Sequence, residues 1–115
     1  MNKRKIGSEY EEKAAAYLEK QGLKVLERNY RKKSGEIDLI AQDGEYLVFC
    51  EVKYRKNDAA GGASFAISLK KKKQIARMAQ FYMAEKHISP DALCRFDCVL
   101  IDGNKINYIK NAWQL

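Results

Sequence analysis

The sequence is short of the residues that build imidazole and thiolate chemistry, with one histidine and three cysteines in 115 residues. His87 stands just before Ser89-Pro90-Asp91, which holds the one proline, and reads as a surface residue near a helix end. No Ser/His/Asp or Cys/His set offers itself for nucleophilic catalysis. Cys50, Cys94 and Cys98 are odd in number, and their spacings match neither a disulfide framework nor a zinc signature. Cys50 is read as core, and Cys94 and Cys98 flank an apolar strand. Long apolar runs are missing too. Without about 18 consecutive apolar residues no membrane-spanning helix is expected, and the charged start Met1 to Gly7 leads into no apolar signal segment. A cytoplasmic protein with no membrane partner is the expectation. Repeats, low-complexity tracts and glycine-rich phosphate loops are also absent.

What the chain does have is charge of one sign on a globular composition. The formal net charge is +7 and 46% of residues are hydrophobic. A chain this size buries one core, so residues 1–115 are expected to form a single domain. Its basic balance favours a polyanionic partner, nucleic acid first.

The stretch Gly35 to Lys53 reads as two apolar strands about a short polar break, with Asp38 inside the first and Glu51 and Lys53 inside the second. Alternation puts Ile37, Leu39 and Ala41 on one side and Glu36, Asp38 and Ile40 on the other. In the second strand Leu47, Phe49, Glu51 and Lys53 share a side, opposite Val48, Cys50 and Val52. Both faces are mostly apolar. Charges placed there are costly unless they are paired or bind a cation. Asp43-Gly44 is a two-residue hairpin signal, and closing the turn there sets Asp38 opposite Phe49 and Glu36 opposite Glu51. Asp38 and Glu51 then face each other on a diagonal of about 7–8 Å, from which two carboxylates can share one hard divalent cation with Lys53 beside them.

The flanking segments fill out the order. Residues 7–21 carry Tyr10, Ala14, Tyr17 and Leu18 at helical spacing, with Ser8 as N-cap. Glu11 lies at the edge of that stripe, and two roles stay open for it: the capping box with Ser8, or a site residue. Leu23 to Tyr30 is a strand, followed by the cationic turn Arg31-Lys32-Lys33. Arg55 to Ser64 reads as a loop with Gly61-Gly62. A second helix over residues 68–86 buries Ile75, Met78, Ala79 and Tyr82, and Lys71 falls on its inward stripe. Strands over Arg95 to Ile101 and Lys105 to Ile109 follow, then a tail with Trp113.

Helix, three strands, helix, two strands, with an acid on the first helix, Asp38, and Glu51-Val52-Lys53, resembles the core of the PD-(D/E)XK nucleases. More closely, G-E-I-D-L-I-A followed by L-V-F-C-E-V-K-Y-R is similar to the YraN family of uncharacterised bacterial proteins, regarded as distant relatives of archaeal Holliday-junction resolvases. The likeness runs from about Ile6 to Tyr82 and includes A-A-A-Y-L-E and A-I-S-L-K-K. Ile37 stands where the superfamily has proline. The resemblance implies an α/β, restriction-endonuclease-like fold with a mixed central sheet between helices. It also implies a metal-dependent endonuclease acting on DNA, branched DNA included. Its catalytic positions fall on Glu11, Asp38, Glu51 and Lys53. Asp38, Glu51 and the Val52 carbonyl would hold Mg²⁺ or Mn²⁺, and Arg31, Lys32, Lys33, Arg55, Lys56 and Lys71 would grip the phosphate backbone.

Two other readings stand beside that one: a nucleic-acid-binding module of the same fold without hydrolysis, and an interaction protein whose acid–lysine network is structural. A homodimer is a further expectation, drawn from the dimeric resolvases and from Phe81, Tyr108, Ile109 and Trp113, which fall off the assigned core stripes, with capping of the core from the tail as the equal alternative for Trp113.

Overall fold

The computed structural model describes residues 3–55 and 67–114, with side chains from residue 9 onward. The elements run α1 (Lys3–Lys20), β1 (Lys24–Lys32), β2 (Gly35–Asp43), β3 (Tyr46–Arg55), α2 (Leu69–Glu85), β4 (Cys94–Asp102) and β5 (Lys105–Trp113). The strands form one sheet in the order β1-β2-β3-β4-β5, antiparallel except for the parallel pair β3–β4. A parallel neighbour needs a crossover, and α2 lies within it. The architecture is therefore α/β, with a mixed five-stranded sheet and two helices.

Each helix buries its apolar stripe on its own cluster. Ala14, Ala15 and Leu18 of α1 pack with Leu39, Ala41, Val48, Cys50, Val99 and Ile101. Ile75, Met78, Ala79 and Tyr82 of α2 pack with Ile40, Phe49, Cys98 and Trp113. Because both sides of the sheet are covered, β2 and β3 read as nearly continuous apolar runs rather than alternating ones. Glu51 and Lys53 have the parity of Leu47 and Phe49, which is the side of α2.

Several elements differ from expectation. α1 begins at Lys3, so Ser8 lies inside the helix and the capping-box role for Glu11 falls away. The helix-forming run Lys3 to Ile6 continues upstream where the cap pattern suggested a start. β5 extends to Trp113, which is 6% exposed and stacks on Phe96 with ring centroids 5.3 Å apart. Tyr108 and Ile109 also pack against the core clusters, so of the four residues offered for a dimer face only Phe81, at 46% exposure, stands out on the surface. Ile37 packs on the α2 side with Ile40 instead of with Leu39 and Ala41. Alternation is interrupted there, where Asn29, with a left-handed φ of 54°, stands across from Asp38. Lys56 and most of the Arg55 to Ser64 loop lie outside the described residues.

Candidate metal centre

The β2–β3 turn decides the register. Asp43 pairs with Tyr46, leaving Gly44 and Glu45 as the loop, and Gly44 takes the left-handed φ of 59° that suits the first position of such a turn. Pairing then runs back through Gln42–Leu47 and Ala41–Val48 to Leu39–Cys50. Continued by one step, that register puts Asp38 directly across from Glu51 rather than on the expected diagonal. The loop length stays even, so the facing parity is kept while the register slides by two.

Beyond Leu39–Cys50 a side chain takes over from the backbone ladder. The Val52 N–H donates to Asp38 Oδ2 at 2.8 Å. Asp38 is thus drawn in between the strands, where an unpaired backbone donor would otherwise be left without a partner. The N–H and C=O of one strand residue emerge on the same edge, so the Val52 carbonyl faces this gap as well.

Three acids meet Asp38 here. The Glu51 carboxyl lies within hydrogen-bonding reach of it. On the other side, carboxylate oxygens of Glu11, Glu36 and Asp38 all lie within 4.8 Å of one another. Burial raises the Asp38 pKa, Glu36 adds to the rise, and the Val52 N–H opposes it. Burial, then the Asp38 charge, pushes Glu51 up to about 8, while Lys71 pulls it down. Glu11 is raised by burial and by Asp38, against a hydrogen bond from the Asn29 side chain. Like-charged groups so close hold protons above the usual carboxylate range unless a cation neutralises them.

Glu51 carries the clearest sign of an unmet need. Its Oε2 is buried and has no hydrogen-bond partner among the described residues. Its Oε1 has Lys71 Nζ at 4.0 Å. Asp97 provides a comparison within the same sheet. It too is buried and patches a ladder irregularity, accepting from the Asn111 N–H at 2.9 Å, but Arg95 and the Tyr108 hydroxyl complete its shell. Asp97 is a satisfied structural acid. Asp38 and Glu51 have an acid for a neighbour where Asp97 has a guanidinium.

The expected cations spread out. Lys53 is exposed and shares the Glu51 side of β3. Arg31 pairs with Glu36 at 3.2 Å, and so borders the acids. Lys32 pairs with Glu85 at 3.2 Å. Glu85 ends α2, fourteen residues from Lys71 or about 21 Å along the helix, so Lys32 is committed to the far end. Lys33 lines a cavity of 470 Å³ with Phe81, Ala84 and Glu85 at that same end. Arg55 pairs with Asp102 at 3.0 Å, and its carbonyl accepts from the Gly103 N–H, which ties β3 to β4.

Sequence reasoning missed Glu36 and Asn29 as members of the acid group. Glu36 shares the parity of Asp38, which was its one available signal. Asn29 offered only the tolerance of asparagine for left-handed backbone.

A family model for the uncharacterised protein family UPF0102 matches residues 10–101, which span both strand motifs and all four acids. The chain belongs to UPF0102. A UPF0102 protein of Dechloromonas aromatica is 50% identical over 108 residues, covering 94% of this chain and 88% of the relative. One from Shewanella loihica is 49% identical, covering 93% and 92%. Another, from Lachnoclostridium phytofermentans, is 42% identical over 114 residues, covering 99% and 97%. UPF0102 is the family that the G-E-I-D-L-I-A and L-V-F-C-E-V-K-Y-R motifs resemble.

Proposed function

We propose that this UPF0102 protein is a metal-dependent endonuclease of the PD-(D/E)XK type, hydrolysing phosphodiester bonds of DNA. The observation that carries the reading is the half-buried Asp38–Glu51 pair on adjacent strands, with the buried Glu51 Oε2 lacking a partner among the described residues. The donor set suits a hard cation, since carboxylates and a backbone carbonyl are the oxygen ligands that Mg²⁺ and Mn²⁺ take. Asp38, Glu51 and the Val52 carbonyl would hold it, with Glu11 approaching from α1. When bound, such a cation neutralises charge on a phosphoryl oxygen and makes a water molecule more acidic.

The remaining work falls to the chain. Asp38 keeps its orientation through the Val52 N–H. Lys53 offsets negative charge developing on the phosphate as the water oxygen bonds to phosphorus and the bond to the leaving sugar oxygen breaks. Lys71, Arg31 and the excess positive charge of the chain hold the phosphate backbone, with Lys32, Lys33 and Arg55 as outer contacts. Phosphate contacts carry no base code, so cleavage is expected to follow DNA structure rather than sequence.

The competing reading is a DNA-binding module without hydrolysis. It draws on the Lys71–Glu51 ion pair, in which a lysine already supplies the positive charge a metal would bring. One experiment separates the two. Purified protein is incubated with Mg²⁺ or Mn²⁺ and a panel of linear and branched DNAs, alongside Asp38→Asn and Lys53→Ala. Metal-dependent cleavage lost in Asp38→Asn, with DNA binding kept, supports the nuclease. DNA binding without cleavage under either metal would leave the binding module standing.

A further inference from the structure

Beside the acid group, Tyr10 of α1 and Tyr54 of β3 lie face to face, ring centroids 3.6 Å apart and planes within 16°. Aromatic quadrupoles disfavour a cofacial sandwich and prefer offset or edge contacts. The buried pairs Tyr30–Tyr82 and Phe49–Tyr82 obey that preference with edge-on geometry. The Tyr10–Tyr54 pair does not, and Tyr54 remains 36% exposed. Lys13 Nζ stands 5.4 Å from the centre of the Tyr10 ring, adding a cation to the same patch. The hydrogen bond with Tyr54 pushes the Tyr10 phenol up to about 12.

Position gives the patch its meaning. Tyr10 immediately precedes Glu11, and Tyr54 follows two residues after Val52, whose N–H Asp38 holds. Two strand residues span about 7 Å. Tyr54 has the parity of Val52 and stacks on α1, so the platform lies on the side from which Glu11 approaches Asp38, opposite Glu51 and Lys53, where it suits the base of a nucleotide adjoining the phosphate. We propose that Tyr54, backed by Tyr10, is a stacking platform for an unstacked nucleobase next to the phosphate held at Asp38 and Glu51. This rests on the nuclease reading and adds its substrate class: single-stranded or splayed DNA, as at a flap or a branch point. A base inside continuous duplex has both faces covered and offers none to a tyrosine, whereas an unpaired base stacks on aromatic side chains with little sequence preference. Lys13 then meets a neighbouring phosphate.

The test is binding without divalent cation, so that cleavage plays no part in the readout. Fluorescence anisotropy at low salt would compare a labelled oligothymidylate with duplex of equal length, and with oligothymidylates in which one abasic residue is stepped along the strand. Tyr54→Ala is expected to weaken single-strand binding about tenfold and to leave duplex binding unchanged, while Tyr54→Phe and Tyr54→Trp retain wild-type affinity. One abasic position should cost the wild type a similar factor and cost Tyr54→Ala nothing. A flat abasic scan on the wild type needs no variant to fold, and it would overturn the platform while leaving the nuclease reading intact. So would a Tyr54→Ala protein that binds single strands as the wild type does, or that loses single-strand and duplex binding alike. Wild-type protein that binds no DNA at all would remove both proposals.

Discussion

Lys71 Nζ lies 4.0 Å from Glu51 Oε1, so α2 sends a cation onto the half-buried carboxylate that β3 sets across from Asp38. The Ser68 hydroxyl accepts from the Lys71 N–H at 3.1 Å and caps the helix, which fixes where that lysine starts. Lysines in a first turn oppose the helix dipole. The Glu51 contact is a local reason for one of them to be there.

Removing that cation is expected to show in titration before it shows in stability. Lys71→Ala should move the Glu51 midpoint above its value of about 8, because the lysine is the charge that pulls it down. Carboxyl-carbon NMR of metal-free protein measures this directly, and an unchanged midpoint would mean that the two groups do not interact. The loss in unfolding free energy should stay under about 1 kcal/mol, since the lysine side chain is 37% exposed.

Metal-free stability should fall as pH rises. Glu51 ordinarily titrates at 4.5 and is raised to about 8 in the folded state. The folded chain therefore keeps a proton that the unfolded chain gives up. That contribution is complete below pH 4.5 and is lost as pH rises through about 8. At about 1.4 kcal/mol per unit the loss is of the order of a few kcal/mol. Denaturant titrations at pH 5.5 and 8.5 should reveal it, and Glu51→Gln should flatten the slope. A divalent cation competes with that proton, so Mg²⁺ should raise the melting temperature more at pH 8.5 than at pH 5.5.

Asp38→Asn and Asp38→Ala should part company. The asparagine can still accept from the Val52 N–H and removes a negative charge beside Glu11, Glu36 and Glu51. It should equal or exceed wild-type stability at pH 8 while losing metal affinity. Alanine leaves the Val52 N–H without its partner, at a cost of about 1–3 kcal/mol. Calorimetry with Mn²⁺, run beside thermal melts, reads both quantities. A destabilised Asp38→Asn would show that the acids are not in mutual repulsion.

Asp97→Ala should be the most damaging change among the acids. It strips a buried partner from Arg95, Tyr108 and the Asn111 N–H together. A loss of about 3–5 kcal/mol is expected because the guanidinium loses its fully buried carboxylate and keeps the part-exposed Asp43 at 2.9 Å, measured as a shift in urea midpoint. A loss below about 1 kcal/mol would mean that water replaces the carboxylate.

The α2 stripe was legible because Ile75, Met78, Ala79 and Tyr82 repeat with the helix period, and all four are buried. The parity of Asp38 and Glu51 was legible too, since any even loop keeps it. Their register was not. Asp43-Gly44 signals a turn without saying which residue opens it, and the pairing of Asp43 with Tyr46 slid the strands by two. The start of α1 and the reach of β5 to Trp113 escaped for a different reason, because local cap and tail patterns yield to longer-range packing. Glu36 and Asn29 were hidden by the left-handed backbone at Asn29, which short-range sequence does not specify.

The parallel pairing of β3 with β4 also bears on how the chain reaches this structure. Leu47 meets Cys94 and Arg55 meets Asp102, so every rung of that pair joins residues 47 positions apart. The other three strand pairs connect sequence neighbours. The sheet therefore has two locally closing halves, β1-β2-β3 and β4-β5, joined by a seam that is slow to close because distant segments must meet before any rung rewards them. Asp38 and Glu51 both belong to the first half. Their repulsion therefore arises within the part of the sheet that closes locally, and it does not depend on the slow seam.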